Sequence, residues 1–330
     1  MRILYVGMAH DYGIPSRGLS FEETNFRSSL EGMGHDVVAF DFMERSKAVG
    51  NEAMRRELLS TAAETKADVA FFCLFTDEID TATLEGVRRE GGHPTVNWFA
   101  DDHWRFDDFS RHLAPALDLA VTTDEDSLPR YAAAGIDNVL LSQWACNRYA
   151  YTRVTETTQH DVTFVGQPHG NRKDVIDGLR AAGLQVECWG TGWPSGRLDH
   201  DGMVRVFASS RVNLNLSNSS TPPTTLRSRV GKLLGRAPAP RPPQIKGRNF
   251  EVPGCGGFLL TERLPHLERY FAYDREIGVY DSEDELVEKV SWWLANEEQR
   301  AAVAEAGYQR VLREHTYDHR FAAIFAALGL

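Results

Sequence analysis

The sequence predicts an α/β protein made of two parallel-sheet domains in tandem. Three observations lead to this prediction. Short apolar runs of strand length alternate with amphipathic segments, which is typical of parallel strands joined by helices. The 330 residues exceed the usual size of a single domain. The alternation stops in a polar stretch near residues 145–160 and then starts again, so we predict domains over 1–150 and 151–312.

The first half contains six predicted strands with helical segments between them. Ser20 and Glu23 have the spacing of a helix capping box, and Phe26 and Leu30 follow at helical spacing. The six strands are RILYVG, DVVAFDF, DVAFFCLF, TVNWF, DLAVTT and NVLLS.

The second half repeats this pattern and closes with helices. Ser282 and Glu285 form another predicted capping box before an apolar helix face. The terminal segment 313–330 is predicted to be a helix that packs back towards the N-terminal domain. The strands are DVTFVG, QVECWG, VNLNLS and GGFLLT, and the helices between them are NRKDVIDGLRAAG and HDGMVRVFASS.

Composition excludes several classes of protein. A formal charge of -11 and a pI near 5.5 argue against a nucleic-acid-binding surface. The four cysteines show no pairing typical of a zinc site or a disulfide framework. The longest apolar block, residues 69–75, is too short to span a bilayer. We therefore expect a cytoplasmic protein with no membrane anchor and no metal site, and the oligomeric state is left open.

One segment, residues 219–248, departs from this composition. It contains seven Lys or Arg residues, six prolines and no acid. The prolines preclude a long helix, and a loop of this length in a compact domain is usually functional or disordered. Three interpretations remain open: the insertion contacts phosphate, closes over a ligand as a lid, or is a surface excursion.

The predicted second domain begins with features of an anion site. Two parallel-sheet domains are expected to turn the carboxyl ends of their strands towards a common cleft, where such sheets bind ligands. The turn after DVTFVG holds Gly166 and leads into a helix at Arg172, which could face an anion; the alternative is an ordinary turn with a solvated arginine. The GTGW stretch from Gly190 lacks the G-x-G-x-x-G spacing, so no NAD or FAD cofactor is expected.

The segment GRNFEVPGCGGFLLTE places Glu251 at a predicted helix start before a strand. A carboxylate there can accept two hydrogen bonds from a vicinal diol such as that of a ribose. Lys246 and Arg248, close by in sequence, could neutralise a diphosphate. In the alternative interpretation, Glu251 only interacts favourably with the helix dipole.

These segments resemble the GT-B glycosyltransferases, and specifically the CgeB-like (spore-maturation-protein-like) group with its glycosyltransferase-4-like C-terminal domain. The resemblance implies two Rossmann-like parallel-sheet domains facing a central cleft, and a nucleotide-sugar bound by the C-terminal one. The N-terminal half, with FEETNFRSSLEGMGHDV and VNWFADDHWRF, is similar to the accompanying domain. The matching motifs are VTFVG with a following Arg, CWGTGW, SSRVNLNLS, KGRNFEVPGCGGFLLTE, VYDSEDELVEKVSWWL and REHTYDHR.

The resemblance also implies roles for particular residues. Glu251 corresponds to the second glutamate of the family's paired-glutamate motif, which contacts the ribose. Cations and helix amides stabilise the departing diphosphate in place of a metal. The first glutamate of the pair is missing, because Pro243 stands there. The donor-site candidates are Glu251, Arg172, Lys246, Arg248, Gly166, Gly190, Trp193 and Asn215.

A base for the acceptor hydroxyl is expected from the N-terminal domain if the reaction inverts configuration. Asp101 and His10 follow predicted strands and are the catalytic candidates. Each could instead cap a loop or be solvated, and a retaining reaction needs no such base. The acceptor-binding candidates are Asp102, His103, Trp104 and Asp11.

The predicted activity is transfer of a sugar from a nucleoside-diphosphate sugar to a small-molecule acceptor. UDP is the expected nucleotide. The reaction is expected to need neither a metal nor a bound cofactor. Three alternatives differ in their products. A catalytically silent protein would bind the nucleotide-sugar or a partner without turnover, and a GT-B epimerase would release nucleotide with no acceptor present. A two-domain ligand receptor of the periplasmic type would carry an export signal, and the sequence shows none.

Overall fold

A computed structural model of the chain describes residues 1–217 and 244–330. Most of the basic insertion, and with it the Pro243 position, lies outside the described residues. The chain divides into two compact units. The first comprises Met1–Ala150 and Thr316–Leu330, and the second comprises Tyr151–His315.

The first unit is built on a six-stranded sheet in the order β2-β1-β3-β4-β5-β6, and every pairing is parallel. All six strands predicted from the sequence are present. Their bounds are β1 Arg2–Gly7, β2 Asp36–Asp41, β3 Val69–Phe72, β4 Thr95–Phe99, β5 Leu119–Thr122 and β6 Val139–Leu141.

Helices cover both faces of this sheet. The predicted cap is confirmed, since the Ser20 hydroxyl accepts a hydrogen bond from the Glu23 amide at 2.9 Å. The helix that follows contains a π-helical turn over Glu23–Arg27. Helical residues lie at Ser28–Gly32, Phe42–Val49, Asn51–Thr65, Thr81–Gly91, Asp102–Arg105, Arg111–Leu113 and Leu128–Ala133, with a second π-helical turn at Phe106–Ser110.

The C-terminal helix Tyr317–Ala327 packs within the first unit. Thr316 and His319 form a capping box at its start, and the Tyr317 amide donates to the Cys146 carbonyl at 3.1 Å. The Tyr317 ring lies 5.0 Å from that of Phe26. The last residues of the chain therefore contribute to an aromatic core on one face of the first sheet.

The second unit contains a five-stranded parallel sheet in the order β11-β10-β9-β7-β8. Four of these strands were predicted; β11 was not. That strand has only three residues and follows an irregular stretch, so its sequence carries no clear alternation. The bounds are β7 His160–Val165, β8 Val186–Trp189, β9 Ser210–Asn215, β10 Leu259–Glu262 and β11 Gly278–Tyr280.

The helices of the second unit begin close to the predicted positions. Ser282 caps the helix that follows it by accepting from the Glu285 amide at 3.2 Å. The predicted helix start before Glu251 is confirmed. The helices are Arg172–Ala181, His200–Ser209, Arg248–Gly254, Glu283–Ala295 and Glu297–Glu314.

Strand order determines where each sheet can bind a ligand. In the second sheet the chain runs from β7 outwards to β8 and then crosses to β9 on the other side of β7. In the first sheet the same reversal occurs at β1 and β3. The loops diverge at such a reversal and leave a crevice at the carboxyl ends of the strands. We therefore expect the donor site of the second unit in the crevice between β7 and β9.

In the described part of the chain, no helix combines the length and the apolar character needed to cross a bilayer.

Candidate donor site

Arg172 joins the two loops that diverge at the crevice of the second sheet. Its guanidinium donates to the Gln167 carbonyl at 3.0 Å, after β7, and to the Leu216 carbonyl at 2.6 Å, after β9. The side chain lies over the Phe164 ring and is buried. The sequence suggested that Arg172 faces an anion; its contacts in the structure are backbone carbonyls rather than open solvent, and its role in binding a ligand stays a prediction.

A second arginine reaches the same strand end. The Arg248 guanidinium donates to the Val165 carbonyl and lies against Gly166, where an added Cβ would come within 2.7 Å of Nη1. Burial, and then repulsion from Arg248, lower the pKa of Arg172 to about 10. A buried and a half-buried cation this close together attract an anion.

Arg172 also keeps one donor available. Within residues 1–217 and 244–330, its buried Nε–H has no hydrogen-bond partner. A buried unpaired donor costs free energy that a bound acceptor can recover. The geometry is therefore suited to an oxyanion ligand such as a phosphate.

Glu251 lies one helical turn after Arg248, in the Arg248–Gly254 helix. Its side chain is buried rather than open, and it accepts a hydrogen bond from the Tyr151 hydroxyl. Burial raises the pKa of Glu251 to about 7, although Arg248 and the Tyr151 hydrogen bond both oppose the rise. The carboxyl group consequently exchanges its proton near neutral pH.

A buried amide network positions the start of this helix. The Asn249 Oδ1 accepts from the Lys246 amide at 2.9 Å and from Asn215 Nδ2 at 3.2 Å. Both asparagines also donate to Thr261 Oγ1 on β10. Asn215 thus supports the helix from β9. Sequence reasoning missed Asn249, although an asparagine near a helix start is a recognisable capping signal.

Gly190 and Trp193 support the turn after β7. Gly190 has φ 138°, and an added Cβ would meet the Gly166 carbonyl oxygen at 2.4 Å. The Trp193 indole donates to that same oxygen at 2.7 Å. Trp193 was predicted as a donor-binding residue, but the structure buries its ring in the core beside Phe164, so it presents no open stacking surface.

Lys246 lies at the edge of the described residues. Its Nζ donates to Gln244 Oε1 at 2.7 Å. The structure places Lys246 two residues before Arg248 and shows it half-buried. A role in phosphate binding for Lys246 therefore stays a prediction.

The candidates in the first unit separate into two groups. Asp102 was predicted to bind acceptor, whereas the structure shows it in a structural hydrogen-bond network, so that role stays a prediction. Its carboxyl group is fully buried and accepts from the Ser110 hydroxyl and from the Tyr131 hydroxyl at 2.8 Å. Burial raises the pKa of Asp102 to about 6. Asp102 thus links the helical segment after β4 to the Leu128–Ala133 helix through Tyr131.

The other group gathers at the carboxyl edge of the first sheet. Asp11 and Asp101 are electrostatic neighbours of Tyr12 and of Glu22, which sequence reasoning did not select. Burial, and to a smaller extent these two aspartates, raise the pKa of Glu22. Tyr12 is 53% exposed and has φ 52°. The edge thus combines carboxyl groups with an open aromatic ring.

The remaining candidates lie around this edge. His10 pairs with Leu19 in an isolated antiparallel bridge, which closes the loop after β1. His103 and Trp104 belong to the helical turn after β4, and Trp104 is 39% exposed. Trp104 is therefore positioned as an accessible ring, with the Arg105 guanidinium 5.6 Å from it.

Cavities open on the described residues of the second unit. One of about 330 Å³ lies beside the donor site and is lined by Val175, Glu262 and Tyr280 among others. A larger one of about 730 Å³ lies between the last two helices of the unit, around Trp292. The smaller cavity adjoins the candidate donor site, because Glu262 and Tyr280 in its lining are electrostatic neighbours of Arg172.

Metal ligation was examined over the same residues. Across 1–217 and 244–330, no three His, Cys, Asp or Glu side chains are grouped closely enough to hold an ion.

Solved structures with the same architecture are glycosyltransferases of the GT-B fold. The chain matches sucrose-phosphate synthase from Thermosynechococcus elongatus with a TM-score of 0.62 at 10% identity, covering 99% of each chain. It matches Anabaena HepE in complex with UDP and glucose with a TM-score of 0.63 at 11% identity, again covering 99% of each chain. The lipopolysaccharide outer core galactosyltransferase WaaB matches with a TM-score of 0.58 at 14% identity and 99% coverage of both chains.

The sequence itself matches a family at its C-terminal part. Residues 172–326, slightly under half of the chain, match the family model described as glycosyl transferase-like. The matched region and the fold of the whole chain are both similar to those of glycosyltransferases.

The matched region begins at Arg172 and includes Arg248 and Glu251. A search of curated protein sequences finds no significant match. The comparisons do not distinguish the CgeB-like group, so that finer assignment stays a prediction.

Proposed function

We propose that this glycosyltransferase transfers a sugar from a nucleoside-diphosphate sugar, with UDP as the expected nucleotide, to a small-molecule acceptor. One observation carries the proposal: Arg172, Arg248 and Glu251 converge at the strand reversal of the second sheet, inside the family region. The structures of HepE with UDP and with UDP-glucose support the choice of nucleotide.

The proposed donor roles follow from charge and hydrogen-bonding capacity. Arg248 and the unpaired Nε–H of Arg172 bind the diphosphate. Glu251 accepts hydrogen bonds from the ribose diol, for which its carboxyl group must be ionised. Gly166 carries no side chain between Arg248 and the strand end, which lets a phosphate approach the backbone.

The proposed chemistry is electrostatic. As the glycosidic bond of the donor breaks, negative charge develops on the leaving diphosphate, and fixed cations stabilise that charge in the transition state. In this proposal the arginines act without a divalent ion. Turnover in the presence of EDTA tests that part: activity restored only by Mg²⁺ or Mn²⁺ would contradict it.

The acceptor is proposed to bind at the carboxyl edge of the first sheet. Asp101 and His10 stay the proposed bases for the acceptor hydroxyl, and Glu22 is added to them because it interacts electrostatically with Asp101. Asp11, His103 and Trp104 are proposed to contact the acceptor. The anomeric configuration of the product decides whether a base acts at all, since only inversion requires one.

The first experiment is calorimetric binding of UDP, GDP, dTDP and ADP, with wild type, Glu251→Ala and the control Glu298→Ala. Glu298 is exposed on a helix of the same unit. We expect micromolar binding of one nucleotide, weakened in Glu251→Ala by about 1.5–3 kcal/mol, the contribution of hydrogen bonds to a charged group. Glu298→Ala should bind like wild type. Failure of all four nucleotides to bind would refute the donor proposal.

A second function is favoured by one observation. The position of the family's first glutamate holds Pro243, outside the described residues. A protein that binds the nucleotide-sugar without turnover would show nucleotide binding in calorimetry but release no nucleotide from any donor. An epimerase would instead release nucleotide with no acceptor present. Transfer of radiolabelled sugar to a cellular small-molecule fraction, dependent on Arg248, would exclude both.

A further inference from the structure

Tyr151 is the first residue of the second unit and lies directly against the donor site. Its side chain is 4% exposed, and its hydroxyl donates to the Glu251 carboxyl group. The His200 ring packs edge-to-face on the Tyr151 ring, with centroids 4.8 Å apart. Burial and this aromatic contact hold the hydroxyl in a defined direction.

The surroundings of Glu251 explain why this hydroxyl matters. Among the described residues, the titratable and charged groups that interact with this carboxyl group include Arg248, Tyr151 and Cys255. Arg248 already donates to the Val165 carbonyl. Burial, and then the negative charge of Glu251, raise the pKa of the Cys255 thiol, so the thiol stays neutral and offers only a weak donor. Tyr151 is therefore the neutral donor that both orients the carboxylate and stabilises its ionised form.

We propose that Tyr151 is a positioning residue of the donor site, which holds the Glu251 carboxylate in the orientation that receives the ribose diol. The inference rests on the proposed function, because it presupposes that a nucleotide occupies this site. Tyr151 acts through Glu251 and does not itself contact the reacting atoms.

Two consequences distinguish this role from a merely structural one. First, loss of the hydroxyl removes a hydrogen bond that favours the ionised carboxyl group, so the pH at which UDP binding becomes strong should move upwards. Second, the preference for a ribonucleotide over its 2′-deoxy analogue should shrink, because that preference depends on a well-oriented carboxylate. A purely structural defect would weaken UDP and dUDP equally and leave the pH midpoint unchanged.

The experiment measures binding of UDP and dUDP from pH 5.5 to 9 for wild type, Tyr151→Phe, Glu251→Gln and the control Tyr308→Phe. Tyr308 lies in the same unit, with the Arg153 guanidinium 4.9 Å from its ring. We expect wild type to prefer UDP roughly tenfold or more, the effect of one hydrogen bond to a charged group. Tyr151→Phe should lose most of that preference and show a higher pH midpoint. Glu251→Gln should lose both the preference and the pH dependence.

A second substitution covers the case in which Tyr151→Phe does not fold. 3-Fluorotyrosine at position 151 keeps the ring and the hydroxyl but makes the hydroxyl more acidic, so it should move the pH midpoint downwards. Wild-type protein that fails to bind any nucleotide would refute the proposed function itself. Wild-type binding with an unchanged UDP preference and midpoint in the Tyr151 variants would refute the positioning role alone.

Discussion

Glu251 shows at the scale of one residue how burial changes the chemistry of a side chain. A surface glutamate would be ionised throughout the physiological range, whereas the pKa of Glu251 is raised to about 7 because the side chain is buried. Arg172 shows the converse, since burial lowers its pKa to about 10. The candidate donor site therefore contains the Glu251 carboxyl group and the Arg172 guanidinium, and for each of them the charged form is destabilised by burial. A ligand that interacts with the charged forms can offset this cost.

The burial of Glu251 predicts a dependence of stability on pH. The folded-state pKa exceeds the ordinary value of 4.5, so folding takes up a proton between about pH 4.5 and 7. The stability that the protonated group contributes is complete below this window and is lost as the pH rises through it. Relative to wild type, Glu251→Gln should gain stability with rising pH, by as much as about 3 kcal/mol above pH 7.

Denaturant unfolding of both proteins at pH 5 and pH 8 measures this difference. The exposed Glu298→Gln variant serves as the control and should show no change with pH relative to wild type. A gain for Glu251→Gln that is equal at the two pH values would contradict the burial argument.

At the scale of strands, turns and helices, contacts between neighbouring segments position the candidate donor site. The turns after β7 and β8 approach closely, because Gly190 leaves room for the Gly166 carbonyl. That carbonyl in turn accepts from the Trp193 indole. The Arg248–Gly254 helix is held to β9 and β10 by the paired amides of Asn215 and Asn249. The site is thus supported by three separate segments of the second unit.

Gly190→Ala should therefore be strongly destabilising. The substitution adds a Cβ that would lie 2.4 Å from a backbone oxygen, at a φ of 138° that alanine rarely adopts. We expect a loss of several kcal/mol, or of soluble expression, by analogy with other severe steric defects. Gly178→Ala is the control: Gly178 lies in the Arg172–Ala181 helix, and its Cβ would meet nothing within 4 Å. It should stabilise the protein by about 0.4–1 kcal/mol.

Thermal unfolding of the two variants beside wild type checks this pair of predictions. Equal effects of the two alanines would show that the close approach of Gly190 and Gly166 is unimportant.

On the scale of the whole molecule, the proposed donor and acceptor residues lie in different units. The donor residues fall within Tyr151–His315, and the acceptor candidates fall within Met1–Ala150. The last helix belongs to the first unit although it follows the second in sequence. A chain that ended before Thr316 would lack Tyr317 and Phe321, which pack against the first sheet through Trp98 and Phe71.

The distribution of these residues predicts where UDP protects the backbone. In hydrogen exchange, UDP without acceptor should slow exchange most in peptides over 160–176 and 244–256, because these carry the proposed ligand contacts. Peptides from the first sheet, such as 95–125, should change least. Protection centred on the first unit would contradict the assignment of the donor to the second.

Local patterns within the sequence were sufficient to predict most of the elements. Ten of the strands are marked by apolar runs, and the Ser20 and Ser282 caps lie within three residues of their partners. The helix start before Glu251 was also correctly predicted. Such features depend on neighbours along the chain, and their physical cause is therefore visible in the sequence.

Burial of individual polar groups, by contrast, was decided by the tertiary structure. Asp102 is buried because Tyr131, far along the chain, supplies its hydrogen bond, and Glu251 is buried against Tyr151 in the same way. Trp193 lies in the core because its indole meets the Gly166 carbonyl across two turns. The sequence alone determined a tandem α/β chain and indicated the segment to which we assign the donor chemistry. Which side chains face a ligand depended on contacts between distant segments, which no local pattern records.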